Sequence, residues 1–284
     1  MTLASAFTSA PHSAADDPAA PVVVFDKVSI AFEDNQVLQD ISFSVYPGET
    51  RIILGPAGCG KSVLLKLVDG LLRPDSGSIR VFGADISSLT KRQLYALRAR
   101  IGMVFQESAL FDSLNVRDNV AYRMLEEHVP AQESEARVRE SLRFVELEDA
   151  IDKFPSELSG GMRRRVAIAR AVVSHPDLIL YDSPTAGLDP ITSSTIIELL
   201  VKQRDVSRTT ALAVTHRMQD AFTLATHAYD STSHRMVPMD RHGPTRGIDP
   251  RTRYLVLKDG RVVFDGDTQA LVATPDPWLR DFIS

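Results

Sequence analysis

Residues 158–190 read LSGGMRRRVAIARAVVSHPDLILYDSPTAGLDP. The stretch starts with a Leu-Ser-Gly-Gly-Met turn that opens a helix, and it continues into an apolar run that ends at Asp182. A Gly-Leu-Asp-Pro loop follows, and a helical pattern resumes at 192–204. A short apolar run between turn residues is typical of a buried strand, and strands that alternate with helices indicate a parallel sheet. We therefore predict an α/β protein.

A glycine-rich loop lies upstream, where Gly55–Ser62 reads GPAGCGKS and fits the pattern G-x-x-x-x-G-K-[ST]. The buried-strand pattern of Thr50–Leu54 precedes it, and apolar residues at helical spacing follow it. Glycines let successive backbone N–H groups surround a phosphate. Lys61 would contact the β- and γ-phosphates of a nucleotide, and the Ser62 hydroxyl would bind Mg²⁺. The predicted loop residues are Gly55, Pro56, Ala57, Gly58, Cys59, Gly60, Lys61, Ser62 and Val63.

Two further parts surround this core. Residues 22–32, 38–49 and 78–83 have strand-like alternation, which predicts an N-terminal antiparallel β-subdomain. Residues 116–153 are helical in pattern, with Glu and Arg interleaved, and this predicts a helical subdomain at about 107–158 that is inserted into the α/β core. The core then resumes with the strand patterns at 178–182 and 209–216.

Composition narrows the class of protein. The net charge of -5 argues against binding to nucleic acid. No apolar run approaches the roughly 18 to 20 residues that a spanning helix needs. Cys59 is the only cysteine, so an internal disulfide is impossible and a reducing compartment is expected. Residues 1–21 are rich in Ala, Ser, Pro and Asp, which predicts a disordered tail before one domain over 22–284.

Leu158–Met162 resembles the signature turn of the ABC ATPases, and the phosphate loop precedes it in that family's order. The resemblance implies a P-loop, RecA-like nucleotide-binding domain that binds ATP and Mg²⁺. It also implies that Ser159, Gly160 and Gly161 cap the nucleotide held by the phosphate loop of a second subunit. Leu178–Asp182 looks like the Walker B strand, in which Asp182 holds Mg²⁺ through water.

Other roles follow from the same resemblance. Gln106 is similar to the glutamine that links the metal site to the helical subdomain, and His216 to the switch histidine that contacts the γ-phosphate. Gly187–Asp189 resembles the loop that crosses the dimer interface, so Asp189 is expected at the nucleotide. Phe32 falls where an aromatic ring commonly stacks on adenine. The implied metal ligands are Ser62, Gln106 and Asp182, and the implied catalytic residues are Gln106, Asp182 and His216.

Ser183 departs from the family pattern, which has a glutamate directly after the Walker B aspartate. That carboxylate polarises the attacking water, and general-base assistance is worth about 10² to 10⁴ in rate. Serine cannot usefully accept the proton at pH 7. We expect intact nucleotide binding and consider two outcomes for hydrolysis: a slowed ATPase, or a structural subunit that binds nucleotide with little turnover.

Several strings point to one subfamily. Residues 105–124, 159–171, 189–193 and 275–283 look like the ATPases of Mla and Mce-type lipid transport systems. The resemblance implies an ATPase homodimer beneath membrane permease subunits, at the cytoplasmic face of the inner membrane, with an Mce-domain lipid carrier protein as a further partner. An ATPase of another ABC importer class is the alternative. ABC ATPases that act on ribosomes or chromosomes have two ATPase domains or a long coiled coil, and this chain shows neither pattern.

Residues 229–252 form an insertion relative to the family pattern. Their Pro, Gly, Ser and Arg content predicts an exposed, disordered loop. A contact with a protein or a lipid headgroup through Arg235, Arg241 and Arg246 is the alternative.

Overall fold

The computed structural model describes residues 20–240, 242–243 and 245–284, so the predicted tail lies almost entirely outside the described residues, as does Arg241. The strands are β1 (Val23–Phe32), β2 (Asn35–Val45), β3 (Thr50–Leu54), β4 (Ser76–Val81), β5 (Ala84–Asp85), β6 (Ile101–Val104), β7 (Leu178–Asp182), β8 (Thr210–Val214), β9 (His227–Asp230), β10 (Arg235–Pro238), β11 (Thr252–Lys258) and β12 (Arg261–Asp267). The α-helices are α1 (Lys61–Val68), α2 (Lys91–Arg98), α3 (Val116–Glu126), α4 (Ala131–Phe144), α5 (Gly160–Val172), α6 (Pro190–Ser207), α7 (Met218–Thr226), α8 (Thr268–Val272) and α9 (Pro277–Ile283).

The central sheet has the strand order β12-β11-β3-β8-β7-β6, and all its neighbours pair in parallel except β11 and β12. Every residue of β3, β7 and β8 is buried. A strand covered on both faces favours an apolar run, and such runs at residues 52–54 and 178–181 explain why the predicted bounds of β3 and β7 match the structure. The carboxyl ends of the parallel strands share one edge of the sheet, where ligands of such folds bind.

The antiparallel sheet has the order β2-β1-β4-β5. Alternate residues of β1 face the core, and Phe25 stacks on Phe43 with ring centroids 4.7 Å apart. The inner face of this sheet shares a hydrophobic cluster with Leu64 and Leu65 of α1. The sheet therefore holds the helix that follows the phosphate loop.

A helical segment lies between β6 and β7. It contains α3, α4 and α5, together with 3-10 turns at Glu148–Ala150 and Pro155–Glu157. Asn115 caps α3 by accepting a hydrogen bond from the Asp118 N–H at 2.8 Å. The α/β architecture, with its antiparallel sheet and inserted helices, confirms the predicted fold class. No helix among the described residues is both long and apolar enough to cross a membrane.

The region predicted as a disordered loop, residues 229–252, is partly ordered, and that prediction is wrong at residues 229–238. Strands β9 and β10 pair there as an antiparallel hairpin. The Tyr229 N–H donates to Asp205 at 2.9 Å, and the Met236 N–H donates to Glu198 at 2.8 Å, both on α6. Tyr229 and Met236 also pack against the main hydrophobic cluster. Tertiary contacts with α6 therefore override a composition that favours a loop, although Arg235 and Arg246 remain exposed.

A buried ion network anchors the end of this insertion. The Arg204 guanidinium, 3% exposed, donates to the backbone carbonyls of Leu224 and His227 and pairs with Asp205 at 2.8 Å. It also lies 3.5 Å from Asp249, whose side chain is 3% exposed. Arg251 contacts both carboxylates from the other side. A buried carboxylate without its cation is costly, so the network fixes where the insertion rejoins β11.

Arg204→Met is expected to lower the free energy of unfolding by about 3 kcal/mol, because Asp205 and Asp249 lose a buried partner. Urea unfolding followed by circular dichroism measures the change. Arg143→Met is the matched control, since the Arg143–Glu148 pair is 61% and 49% exposed and such a pair contributes less than about 1 kcal/mol. A loss for Arg204→Met no larger than that of the control would contradict the prediction.

Candidate nucleotide site

The phosphate loop joins the carboxyl end of β3 to α1. Gly55 and Gly60 have φ angles of 149° and 98°. A Cβ on Gly55 would lie 2.4 Å from the Leu257 carbonyl oxygen, and a Cβ on Gly60 would lie 2.5 Å from Leu38 Cδ2. Gly58 has a φ of 78° with open space beside it. Gly55 and Gly60 are therefore required by close packing as well as by their backbone conformation. Of these three glycines, Gly58 is the one that faces open space, as the approach of a phosphate requires.

The amino terminus of α1 is left free for an anion. Its N-cap residue, Gly60, provides no side-chain hydrogen bond, so the first N–H groups of the helix are available to phosphate oxygens. Lys61 is 9% exposed and donates through Nζ to the carbonyls of Gly55 at 2.8 Å and Pro56 at 2.7 Å. The ammonium group thus spans the loop. Pro56 and Ala57 are exposed at its crest.

Cys59 is buried beneath the loop, with Sγ 3.7 Å from Lys61 Nζ. Desolvation by burial raises the pKa of its thiol, and the neighbouring Lys61 charge opposes that rise. Val63 packs against the hydrophobic cluster under the antiparallel sheet. These two predicted loop residues have side chains that support the loop from below.

Ser62 and Asp182 meet although 120 positions separate them. The Ser62 hydroxyl donates to Asp182 Oδ1 at 2.9 Å, where β7 ends beside the first turn of α1. No group of three His, Cys, Asp or Glu in the described ranges is placed to hold a metal. A hydroxyl and a carboxylate fit Mg²⁺, which commonly completes its octahedron with phosphate oxygens and water. The donor set therefore suits a nucleotide-bound Mg²⁺.

Gln106 and His216 each follow the carboxyl end of a parallel strand, β6 and β8, and these two strands lie on either side of β7. Gln106 comes two residues after β6, and His216 two residues after β8; both are exposed. Because β8, β7 and β6 are adjacent in the sheet, the loops of His216, Asp182 and Gln106 emerge in that order along one edge. The structure thus brings all three residues to the edge that carries the phosphate loop.

The Ser159 turn caps α5. The Ser159 hydroxyl accepts a hydrogen bond from the Met162 N–H at 3.2 Å, and both Ser159 and Gly160 are exposed. A Cβ on Gly161 would lie 2.4 Å from Thr192 Cγ2 at the start of α6. Gly161 therefore has a packing reason to be glycine, in addition to its expected place at the nucleotide of a second subunit.

Asp189 caps α6, which begins one residue later. Its carboxylate accepts hydrogen bonds from the N–H groups of Ile191 and Thr192 at 3.0 Å and from the Thr192 hydroxyl at 2.6 Å. These bonds, the Thr192 hydroxyl first, lower the pKa of Asp189. Thr192 thus contacts Asp189 and lies against Gly161, so the two loops expected at a dimer interface adjoin within one subunit.

The two phenylalanines of β1 have separate roles. Phe25 is 2% exposed and belongs to the core, whereas Phe32 is 44% exposed at the end of β1. A flat, accessible ring is what stacking on a base requires. Phe32 is therefore the residue of the two that is free to contact adenine.

Ser183 lies directly beyond β7 and is 8% exposed. Its φ of 48° is in the left-handed region. The Ser183 N–H donates to the Val214 carbonyl at 3.0 Å, and its carbonyl accepts from the Ala186 N–H at 3.0 Å. The backbone at 183 is thus held on both sides, and the side chain starts beside Asp182.

Sequence reasoning missed a polar network around Arg217, the residue after His216. Thr185 donates to the Asp220 carboxylate, and Arg217 Nε lies 3.6 Å from the same carboxylate. Arg217 also donates to the Ser193 hydroxyl at 2.6 Å. The network joins the loops after β7 and β8 to α6. Its partners are 24 and 35 residues apart in the chain, and the one local signal was that Arg217 follows His216.

A phosphate loop on a parallel sheet, with Ser62 and Asp182 in contact, defines a P-loop nucleotide-binding protein. A family model described as ABC transporter matches residues 38–186. The intermembrane phospholipid transport system ATP-binding protein MlaF of Escherichia coli K12 is 36% identical, over 90% of this chain and 86% of the relative. The methionine import ATP-binding protein MetN 2 of Bacillus anthracis is also 36% identical, over 93% of this chain and 73% of the relative.

Two solved structures are similar in fold. The cbiO1 protein from Clostridium perfringens, part of the ABC transporter complex cbiONQ, has a TM-score of 0.74 at 28% identity, over 89% of this chain and 91% of that chain. The ATP-binding cassette MJ0796, as a dimer in a post-hydrolysis state with ADP and Pi, has a TM-score of 0.70 at 28% identity, over 86% of this chain and 98% of that chain. The chain belongs to the ABC transporter family, as an ATP-binding subunit.

Proposed function

We propose that this chain is the energy-coupling ATPase of a lipid transporter of the Mla/Mce type. The observation that carries the ATP-dependent part is the Ser62–Asp182 contact beside a phosphate loop whose helix has free N–H groups. The lipid class rests on the similarity to MlaF. The equal identity to MetN 2 keeps another importer class as the competing candidate.

The proposed site holds ATP and Mg²⁺ between two copies of the chain. In one copy, Phe32 stacks on adenine. The loop from Gly55 to Val63, which includes Lys61, binds the phosphates. Ser62, Asp182 and Gln106 hold Mg²⁺, which neutralises charge that develops on the phosphates. In the other copy, Ser159, Gly160, Gly161 and Asp189 close over the nucleotide. His216 orients groups at the γ-phosphate.

Closure of this homodimer is proposed to move permease subunits at the cytoplasmic face of the inner membrane, with an Mce-domain protein as the lipid carrier. Ser183 favours a second candidate, a structural subunit that ATP assembles without rapid turnover, because no carboxylate stands at that position. In both candidates the nucleotide is bound between two copies of the chain, and the candidates differ in how fast that dimer opens again.

Ser159→Asp is expected to abolish ATP-dependent dimerisation while ATP affinity of the monomer stays within about twofold. Aspartate caps a helix as well as serine does, but its charge would oppose the phosphates bound by the other copy. Light scattering with and without ATP and Mg²⁺ measures the dimer. Ser159→Asn is the control, since it retains a neutral cap and should still dimerise. If Ser159→Asp still forms ATP-dependent dimers, the proposal that Ser159 of one copy closes over the nucleotide of the other copy is wrong.

The lipid assignment has its own test. The tagged chain, purified from the membranes of its source organism, is expected to bring down a permease and a carrier protein. That complex, reconstituted in vesicles, is expected to move a fluorescent phospholipid in an ATP-dependent way. A copurified methionine-binding protein, or methionine uptake without phospholipid movement, would overturn the lipid class and leave the ATP-binding subunit intact.

A further inference from the structure

Two arginines of α5 hold the loop that carries Gln106. Arg164 donates to the carbonyls of Phe105, at 2.8 Å, and Gln106. Arg170 donates to the carbonyls of Ser108, at 2.8 Å, and Ala109, at 2.7 Å. Four of the five carbonyls in residues 105–109 are therefore bound by guanidinium groups of the helix that begins at the Ser159 turn.

The loop needs such restraint. Ser108 and Ala109 have φ angles of 64° and 47°, and consecutive left-handed residues other than glycine are strained. Such a conformation persists only when its surroundings over-determine it. The far end of the loop is pinned by Asn119, which is fully buried and donates to the Phe111 and Leu114 carbonyls at 3.0 and 2.9 Å.

Arg164 also contacts the turn at residues 183–186, which follows β7. Its second terminal nitrogen donates to the Ala186 carbonyl at 3.3 Å, three residues after Ser183. Arg164 is 6% exposed, and burial lowers the pKa of its guanidinium, with the charge of Glu107 opposing the shift. A planar fork of donors is suited to bridging carbonyls that point from two segments, whereas a lysine ammonium is a single point.

We propose that Arg164 is a positioning residue that fixes the Gln106 loop and the Ser183–Ala186 turn to α5, and so determines how well the Gln106 side chain reaches Mg²⁺. The inference rests on the proposed function, because it requires ATP and Mg²⁺ at this site. Arg164 touches neither the nucleotide nor the metal in this scheme. It acts through the backbone of Gln106, as residues that orient metal ligands do.

The test is the affinity for ATP at equilibrium, measured by fluorescence titration with Mg²⁺ and again with EDTA. Loss of a group that orients a metal ligand typically costs about 10- to 100-fold in metal affinity. We therefore expect Arg164→Met to reduce the gain in ATP affinity that Mg²⁺ provides by about tenfold, with the affinity in EDTA within about twofold of the original protein. This readout does not depend on hydrolysis.

Arg165→Met is the matched control. Arg165 is the next residue on α5 and also donates to two carbonyls, those of Val145 and Glu146, at 3.1 and 3.2 Å, away from the nucleotide loops. It should keep the full Mg²⁺ effect. Arg164→Lys retains the charge without the fork, so it should lose at least about threefold of the Mg²⁺ effect, and it replaces Arg164→Met if that variant does not fold.

An unchanged Mg²⁺ effect in the Arg164 variants, or an equal loss in Arg165→Met, would overturn the positioning role. ATP binding by the unsubstituted protein tests the proposed function itself. If the unsubstituted protein does not bind ATP at all, the nucleotide site itself is wrong, and that outcome is recognised before any variant is compared.

Discussion

Lys61→Met is expected to weaken ATP binding by at least about 100-fold. The Lys61 ammonium already bridges the carbonyls of Gly55 and Pro56, so it lies inside the loop that phosphates would enter. Hydrogen bonds to charged groups contribute about 1.5 to 3 kcal/mol each. Two such bonds to phosphate amount to about 3 to 6 kcal/mol, or roughly 10² to 10⁴ in affinity. Titration with a fluorescent ATP analogue measures the loss.

Lys66→Met provides the control for Lys61→Met. Lys66 lies on the same helix but is exposed near its carboxyl end, so its removal should change ATP affinity by less than about threefold. Thermal unfolding of both variants checks that the loop persists without the Lys61 contacts. Retention of affinity within tenfold in Lys61→Met, with normal unfolding, would mean that the phosphates do not bind at this loop.

The sequence predicted the parts of the fold that depend on residues close together in the chain, or on burial of a whole strand or helix face in the core. Strand β7 was predicted with its bounds because burial on both faces demands an uninterrupted apolar run. The Gly55–Ser62 loop was predicted because its geometry depends on glycines at fixed spacing. Hydrophobic periodicity likewise gave the helical segment between β6 and β7, since its helices pack one apolar face each.

Features that depend on long-range polar contacts could not be predicted. Arg164 lies in a run of three arginines, which reads as a solvated face until the loop at 105–106 is brought onto it. The hairpin of β9 and β10 has loop-like composition, and Glu198, Arg204 and Asp205 of α6 supply partners that order its backbone. In both cases the deciding partner is distant in sequence, so local pattern carries no sign of it.

Ser183→Glu is expected to raise the steady-state rate of ATP hydrolysis by about 10² to 10⁴, the usual range for general-base assistance. Residue 183 lies directly after Asp182 and is 8% exposed. A carboxylate placed there would be partly desolvated, which raises its pKa toward the pH of the assay and makes it a better base. The left-handed φ of 48° is occupied by a non-glycine residue already, so glutamate adds no new backbone requirement. Phosphate release at saturating ATP and Mg²⁺ measures the rate.

Ser183→Gln separates proton transfer from the effect of a longer side chain. Glutamine has nearly the same shape as glutamate but cannot accept the proton, so only the glutamate variant should gain rate, and only its ATP-bound dimer should dissociate quickly. A gain below about threefold in Ser183→Glu would mean that residue 183 does not limit turnover. The water would then be oriented by another group, and His216→Ala, in which that histidine is removed, should abolish the hydrolysis that remains. Equal gains in both Ser183 variants would instead assign the effect to packing beside Asp182.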